Sequence, residues 1–328
     1  MAEKIIKMPT NQTFFPPVSV VVPVYNGEQD LPDLLDCLSQ QSYPTDCVEY
    51  LLVDNNSCDR TAELLEMAAA ASQKNDDGIK LRYLNQNQIQ SSYAARNTGI
   101  AEATGQIIAF TDADCRPKQD WVSTLVQPFI DESVGIVAGE IAPLPGKTIL
   151  EKYADIQDTL SQKHTIGHSF CPYGQTANLA IRRCIFETVG LFRPYLTTGG
   201  DADICWRILR ETDWQLKFEP LAVVEHRHRS TLRQLKSQWR RYGESNRYLH
   251  ELHGVDLMRE PTPREYIYRL SRWLLKECPL ATAKIFVGQS SLVDLLKTPI
   301  DLICWRSRTE GQRDSQLSDK ARAIVPFS

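Results

Sequence analysis

Two carboxylates one residue apart, Asp112 and Asp114, follow an apolar run in IIAFTDADCRP, residues 107–117. Acids at the end of a buried strand cost desolvation free energy unless a positive group meets them there. In an extended chain the i, i+2 spacing points both side chains to one face, and at the strand end both reach into one cleft. Hard oxygen ligands of this kind suit Mg²⁺ or Mn²⁺, which keep several waters and also bind phosphate oxygens. A divalent ion holding a diphosphate would answer the charge problem, although the spacing alone equally fits a turn or a helix cap. Asp201 and Asp203, in GGDADICWRI, repeat the spacing at the start of an amphipathic run, where an acid caps a helix or faces a substrate. His226 and His228 lie together at the end of VVEH, where a histidine is often simply hydrogen-bonded.

The elements that must position these groups alternate. VSVVVPVY reads as a strand buried on both faces, and Leu31, Leu34, Leu35 and Leu38 then mark one helix face. VEYLLVDNN is a second strand, with Asp59 capping the alanine-rich helix that follows. IKLRYLN is a third, residues 92–103 a helix ended by Gly105, and QIIAFTDA a fourth strand. Such alternation predicts a doubly wound, mostly parallel sheet with helices on both faces, whose ligands bind beyond the carboxyl ends of the strands. The clusters Tyr25–Glu28, Asp54–Ser57 and Asp112–Asp114 all fall at such ends. No G-x-G-x-x-G and no G-x-x-x-x-G-K-[ST] follows the first strand, which excludes both phosphate-binding fingerprints.

Beyond residue 134, VGIVAGEI and WQLKFEPLAVVEH read as strands and DADICWRILRE as a helix. A longer helix over 231–250 carries an apolar stripe beside a basic one of Arg233, Lys236, Arg240 and Arg247. The expected organisation is an N-terminal arm (1–17) and a catalytic domain (18–230, divided near residue 115 into nucleotide-binding and acceptor halves). A helical C-terminal extension (231–309) and a polar tail (310–328) complete it.

With 42% hydrophobic and 24% charged residues in 328, the chain is globular, and its net charge of −4 gives no reason to expect nucleic-acid binding. Nine scattered cysteines form no C-x-x-C pair and read as reduced thiols. Cys115 lies one residue past the carboxylate pair and reads as an ordinary thiol and not a reactive one. The first residues lack the apolar core of a signal peptide, and no apolar run reaches the ~18 residues of a spanning helix. A cytoplasmic protein is expected, with peripheral contact to the inner face of an anionic membrane through the basic helix and the aromatic segment YIYRLSRWLL.

Taken together, VSVVVPVYNGEQDLPDLLDCLSQQSYP, LLVDNNSCDRT, AARNTGIAEATGQIIAFTDADCRP, QTANLAIRR and GGDADICWRI resemble glycosyltransferase family 2 from about Val18 to Gly243. The resemblance implies a GT-A fold, Rossmann-like, and inverting transfer of a sugar from a nucleotide-sugar donor with a divalent metal. Matched position by position, it implies that Pro23, Tyr25 and Glu28 line the nucleotide pocket and that Asp54 contacts the base. Arg96 would face the nucleotide, Asp112 would lie near the ribose, Asp114 would hold the metal and Asp201 would be the catalytic base. A histidine after the base motif often completes the metal's coordination in such enzymes, and His226 matches it. The family usually writes the base motif with Glu-Asp; here it is Gly200-Asp201, so Asp203 stands as the alternative base. LKSQWRRYG partly resembles a Q-x-x-R-W element, which puts Arg240 and Arg241 within reach of a phosphate. Asn178 and Trp206 are acceptor-side candidates.

The reaction then expected is transfer from a UDP-sugar to a hydroxyl of a sugar or lipid-linked acceptor, in cell-surface polysaccharide or glycolipid synthesis. An ordinary Asp, of pKa ~3.9, is a weak base that burial would strengthen. The rival reading is a catalytically silent nucleotide-sugar-binding protein, supported only by the missing glutamate.

Overall fold

The computed structural model describes residues 14–74 and 78–327. Of the N-terminal arm, residues 1–13 lie outside the described residues; Phe15 packs edge-on against Tyr43, whose hydroxyl donates to the Pro16 carbonyl.

The first half alternates as its sequence pattern predicts. In order come β1 (Val18–Val24), α1 (Leu31–Ser39), β2 (Val48–Asp54), α2 (Thr61–Lys74), β3 (Lys80–Asn85), α3 (Ser92–Glu102) and β4 (Ile107–Thr111). Every residue of β1 and β4 is buried, because both strands lie inside the sheet with packing on each face. Val20, Val22 and Val24 join one core with Leu34, Leu52 and Trp121; Val21 faces a second core with Leu51, Phe110 and Phe192. That split is the period-two alternation of a strand.

The chain continues through β5 (Cys115–Pro117), α4 (Trp121–Val126), β6 (Val134–Pro143), α5 (Ile149–Ile156) and α6 (Gln162–Ile166). β7 (Asn178–Arg182), α7 (Ile185–Val189), α8 (Gly200–Glu211) and β8 (Gln215–His226) follow. All eight strands form one sheet in the order β3-β2-β1-β4-β7-β6-β8-β5. β1 to β4 are mutually parallel, as are β6 and β8, whereas β7 runs antiparallel to both its neighbours and β5 to β8.

Helices complete the fold: α9 (Leu232–His253), α10 (Pro263–Arg272), a π-helical turn Trp273–Glu277, α11 (Cys278–Phe286) and α12 (Leu292–Asp314). α9 and α12 cross at Gly243 and Gly311. A Cβ on Gly243 would collide with the Arg308 carbonyl, and one on Gly311 with the Arg240 carbonyl. Only glycine on both helices allows so close an approach. Among the described residues, no helix is long and apolar enough to cross a membrane.

The expected polar tail is different in structure. Glu310–Asp314 closes α12, and the chain then returns to the catalytic domain. Leu191 N–H donates to the Val325 carbonyl, Phe327 meets Phe186, and Leu317 and Ala321 are buried in the second core. Its apolar residues show no helical or strand period, yet Leu317 and Ala321 are buried while Ile324 and Val325 stay exposed.

Candidate active site

The carboxyl ends of β1, β2 and β4 converge on one side of the sheet, and the chemistry-bearing side chains gather there. Pro23 and the 55%-exposed Tyr25 wall a cleft of about 760 Å³ at the end of β1. At the end of β2, Asp54 is buried and accepts a hydrogen bond from Ser57 N–H at 3.2 Å, while its neighbour Asn55 reaches the cleft wall. Glu28 takes another role: its carboxylate accepts from Arg60 N–H at 3.0 Å and its N–H donates to Asp59, fastening the β1 loop to the start of α2. Neither Glu28 nor Asp54 is among the residues that line the cleft.

The charge problem at the end of β4 has two solutions. Arg96, buried on α3, donates from Nη2 to Asp112 Oδ1 at 2.6 Å. Asp114 is met from the other side. β5 pairs with β8 in the register Cys115↔His226, which brings His226 Nε2 to 3.3 Å from Asp114 Oδ1, with Arg229 Nη1 3.7 Å from Oδ2. Burial by itself would raise the Asp114 carboxyl, but the His226 imidazole and Arg229 outweigh it and hold the group well below the usual carboxylate range. Burial pushes His226 down, and the Asp114 charge more than restores it.

This donor set fits a divalent ion. One carboxylate and one imidazole converge, and the other ring nitrogen of His226 is buried without a partner. Carboxylate plus imidazole, with water and phosphate oxygens filling the remaining positions, suits Mn²⁺ or Mg²⁺. The Cys115 sulfur lies in the same group, but it is fully buried and held as a thiol by that burial, so it adds no ligand. His228, also buried, lines neither this cleft nor the next.

The second acid pair separates cleanly. Asp201, in the first turn of α8, accepts from Thr176 Oγ1 at 2.9 Å and faces the cleft. Burial raises its carboxyl above the ordinary value, and Arg96 and Thr176 only partly offset that. Asp203 is fully buried, with Arg193, Arg207 and His253 on its two oxygens at 2.9–3.2 Å. Burial opposes its charge, but these partners, His253 foremost, hold its carboxyl below the ordinary value. It ties α8 to α9 and is closed to substrate, which removes it as the alternative base.

Gly200 now has a physical account. A Cβ there would sit 2.6 Å from Tyr93 Cζ, and Gly200 N–H donates to the Tyr93 hydroxyl at 2.9 Å. The tyrosine ring fills the space a glutamate would need. Stacked against Phe192, with the Arg96 guanidinium 5.6 Å from its ring centroid, Tyr93 belongs to the site.

A second cleft of about 740 Å³ adjoins the first, walled by α9 through Arg233, Gln234, Ser237 and Gln238. Tyr93, Asp112, Asp201, His226, Arg229 and Arg241 line both clefts. The basic stripe divides accordingly: Arg233 lines the cavity, whereas Arg240 pairs with Asp314 and Glu244, and Arg247 with Glu251; Arg241, beside the stripe, also faces the cavity. Of the acceptor-side candidates, Trp206 is buried among Phe170, Tyr173 and His253, and Asn178 is spent on Trp121 and two backbone carbonyls. Neither touches a cleft. Tyr93, Thr176 and Arg229 went unnoticed in the sequence; the signal for Arg229 was its place in the basic run EHRHRS.

Comparisons with known proteins agree with this architecture. The family model described as "Glycosyl transferase family 2" matches residues 19–187. The chain is 33% identical to glycosyltransferase AglE of Haloferax volcanii over 264 residues, 79% of this chain and 80% of that protein. It is 29% identical to the pre-mycofactocin glycosyltransferase of Mycobacterium tuberculosis, covering 70% of this chain but 46% of that longer protein. Among solved structures, mannosyltransferase PcManGT from Pyrobaculum calidifontis, in complex with GDP-Man and Mn²⁺, superposes with a TM-score of 0.61 at 18% identity, over 93% of this chain and 89% of that one. Glucosyl-3-phosphoglycerate synthase from Mycobacterium tuberculosis, in complex with Mn²⁺, UDP and glucosyl-3-phosphoglycerate, gives 0.51 at 22% identity, over 74% and 81%. These neighbours share the GT-A fold. By sequence match over more than half its length, the chain belongs to glycosyltransferase family 2.

Proposed function

We propose that the protein is an inverting, metal-assisted glycosyltransferase that moves a sugar from a UDP-sugar to a hydroxyl of a sugar or lipid-linked acceptor, in cell-surface polysaccharide or glycolipid synthesis. The observation that carries the reading is the position of Asp201 on the wall common to both clefts. In this reading the nucleotide lies between Tyr25 and Arg96, with Asp54 toward the base and Asp112 toward the ribose. The choice of uracil rests on pairing an acceptor and a donor at Asp54 and Arg96, of which Arg96 lines the cleft and Asp54 lies buried beside Asn55. The related folds solved with GDP-Man and with UDP support a nucleotide donor without choosing its base.

Asp114 and His226 would hold the ion, which when bound would supply Lewis-acid stabilisation to the departing diphosphate. Arg229 and Arg241 add fixed positive charge on the same wall. Asp201 takes the proton from the acceptor hydroxyl, and its raised pKa makes it a better base than an exposed aspartate. A single displacement with one base and no protein nucleophile inverts the anomeric carbon. The missing glutamate that favoured a silent binding protein is accounted for by Tyr93.

A thermal-shift panel of UDP, GDP, dTDP and CMP, each with Mn²⁺ and with EDTA, tests the donor site. At a hundred times its Kd, a ligand stabilises by about 2.7 kcal/mol, a shift of several degrees. A metal-dependent shift with UDP, lost in Asp114→Ala, is the expected result; no shift with any nucleotide in folded protein rejects the reading. Retention of the donor's anomeric configuration in the product, read by NMR, would reject inversion.

A further inference from the structure

The helical segment from Pro263 to Phe286 contains no buried residue. It is nevertheless well fastened along one side. Trp273 Nε1 donates to the Leu295 carbonyl at 2.8 Å, Arg269 lies 4.2 Å over the Trp305 ring, and Thr298 bonds Glu277. The opposite side is apolar and open to solvent: Ile267, Leu270 and Leu274 recur at helical spacing, Leu275 is 78% exposed and Phe286 86%. Monomeric proteins rarely leave such a patch uncovered.

The charges beside the patch select its partner. Five basic residues (Arg264, Arg269, Arg272, Lys276, Lys284) stand against two acids in this segment, within a chain of net charge −4. Both acids are tied to arginines, Glu265 to Arg259 outside the segment and Glu277 to Arg272 within it, which leaves four of the five cations without an ion pair among the described residues. A second copy of the chain would bring like charges together across the face. Anionic headgroups, by contrast, complement the cations while acyl chains take the leucines, and long basic side chains reach outward from an interfacial helix. The active-site clefts also lead here. The cleft at Asp201 shares Tyr173, Gln175, Tyr242 and Ser245 with a neighbouring cavity, which is also lined by Trp305, the ring under Arg269.

We propose that the outer face of α10–α11 is a docking surface for a bilayer of anionic lipids, lying in the headgroup interface without crossing it. Its position beside the cleft route suits an acceptor drawn from that bilayer; that last step alone rests on the reading above.

Flotation of the full chain with phosphatidylcholine vesicles, with and without about 30% phosphatidylglycerol, tests it at low and high salt. No nucleotide is present, so the outcome is independent of the donor site. Expected is binding that prefers the anionic vesicles, weakens at high salt, and falls at least about tenfold in Leu274→Glu/Leu275→Glu and severalfold in Lys276→Glu/Lys284→Glu. Circular dichroism melts of these surface variants should match the wild type. No flotation by folded protein overturns the proposal. So does equal binding to neutral vesicles, undiminished flotation of the leucine variant, or a stable dimer in solution that this variant dissolves.

Discussion

At the scale of single residues, Tyr93 governs what the site can contain. A glutamate at position 200 would drive its Cβ into the tyrosine ring, so Gly200→Glu is expected to cost about 1–3 kcal/mol of unfolding free energy in urea titrations. Tyr93→Ala in the same chain should recover part of that loss, because it vacates the space. Asp201 carries a second expectation. The Thr176 hydroxyl donates to its carboxylate and stabilises the charged form, so Thr176→Val raises the Asp201 pKa further. The acidic limb of the kcat profile then moves to higher pH, with kcat at its plateau little changed; a limb that stays in place would separate Asp201 from the base role. The sequence favoured Asp201 but kept Asp203 as the alternative, since two residues in an acidic pair look alike in one dimension. On a helix they lie about 200° apart, so the pair that a strand would put on one face is divided between cleft and core. Glu28 was misplaced for a similar reason: a motif position shows where the backbone passes and not which neighbour takes the side chain.

Among elements, register and crossing set the geometry. β5 is three residues long, too short to announce itself, yet its pairing with β8 is what delivers His226 to Asp114. β7 was equally hidden, because an antiparallel insertion depends on partners distant in sequence. β1 to β4 were legible for the opposite reason: each is a β-branched or apolar run between turn signals, and parallel neighbours follow from the alternating helices. The α9–α12 crossing was invisible, since a glycine within a helix pattern signals only a local cost. Gly243→Ala is expected to force the helices apart, displacing Arg233, Gln238 and Arg241 from the second cleft. Because the first cleft rests mainly on the sheet and takes only Arg241 from α9, the variant should raise acceptor KM severalfold or more, as for other misplaced binding groups, while a reduced UDP–Mn²⁺ thermal shift persists. Loss of both together would assign the crossing a general structural role.

For the molecule as a whole, composition and alternation sufficed for the fold class, while the path of the C-terminal residues did not show. Removing residues after Asp314 strips Leu317, Ala321 and Phe327 from the second core. Each well-buried large apolar side chain contributes about 1.5–3 kcal/mol, so the truncated chain is expected to melt several degrees lower in a calorimeter; an unchanged melt would make the returning segment dispensable. The wall of six residues common to both clefts has a consequence of another kind. If the donor's phosphates draw on Arg229 and Arg241, the surface met by the acceptor changes with the donor and the two affinities are coupled. Linkage makes that influence mutual: whatever factor the donor applies to acceptor affinity, the acceptor applies to the donor. Donor affinity and acceptor affinity are then properties of one partition and not of two separate sites.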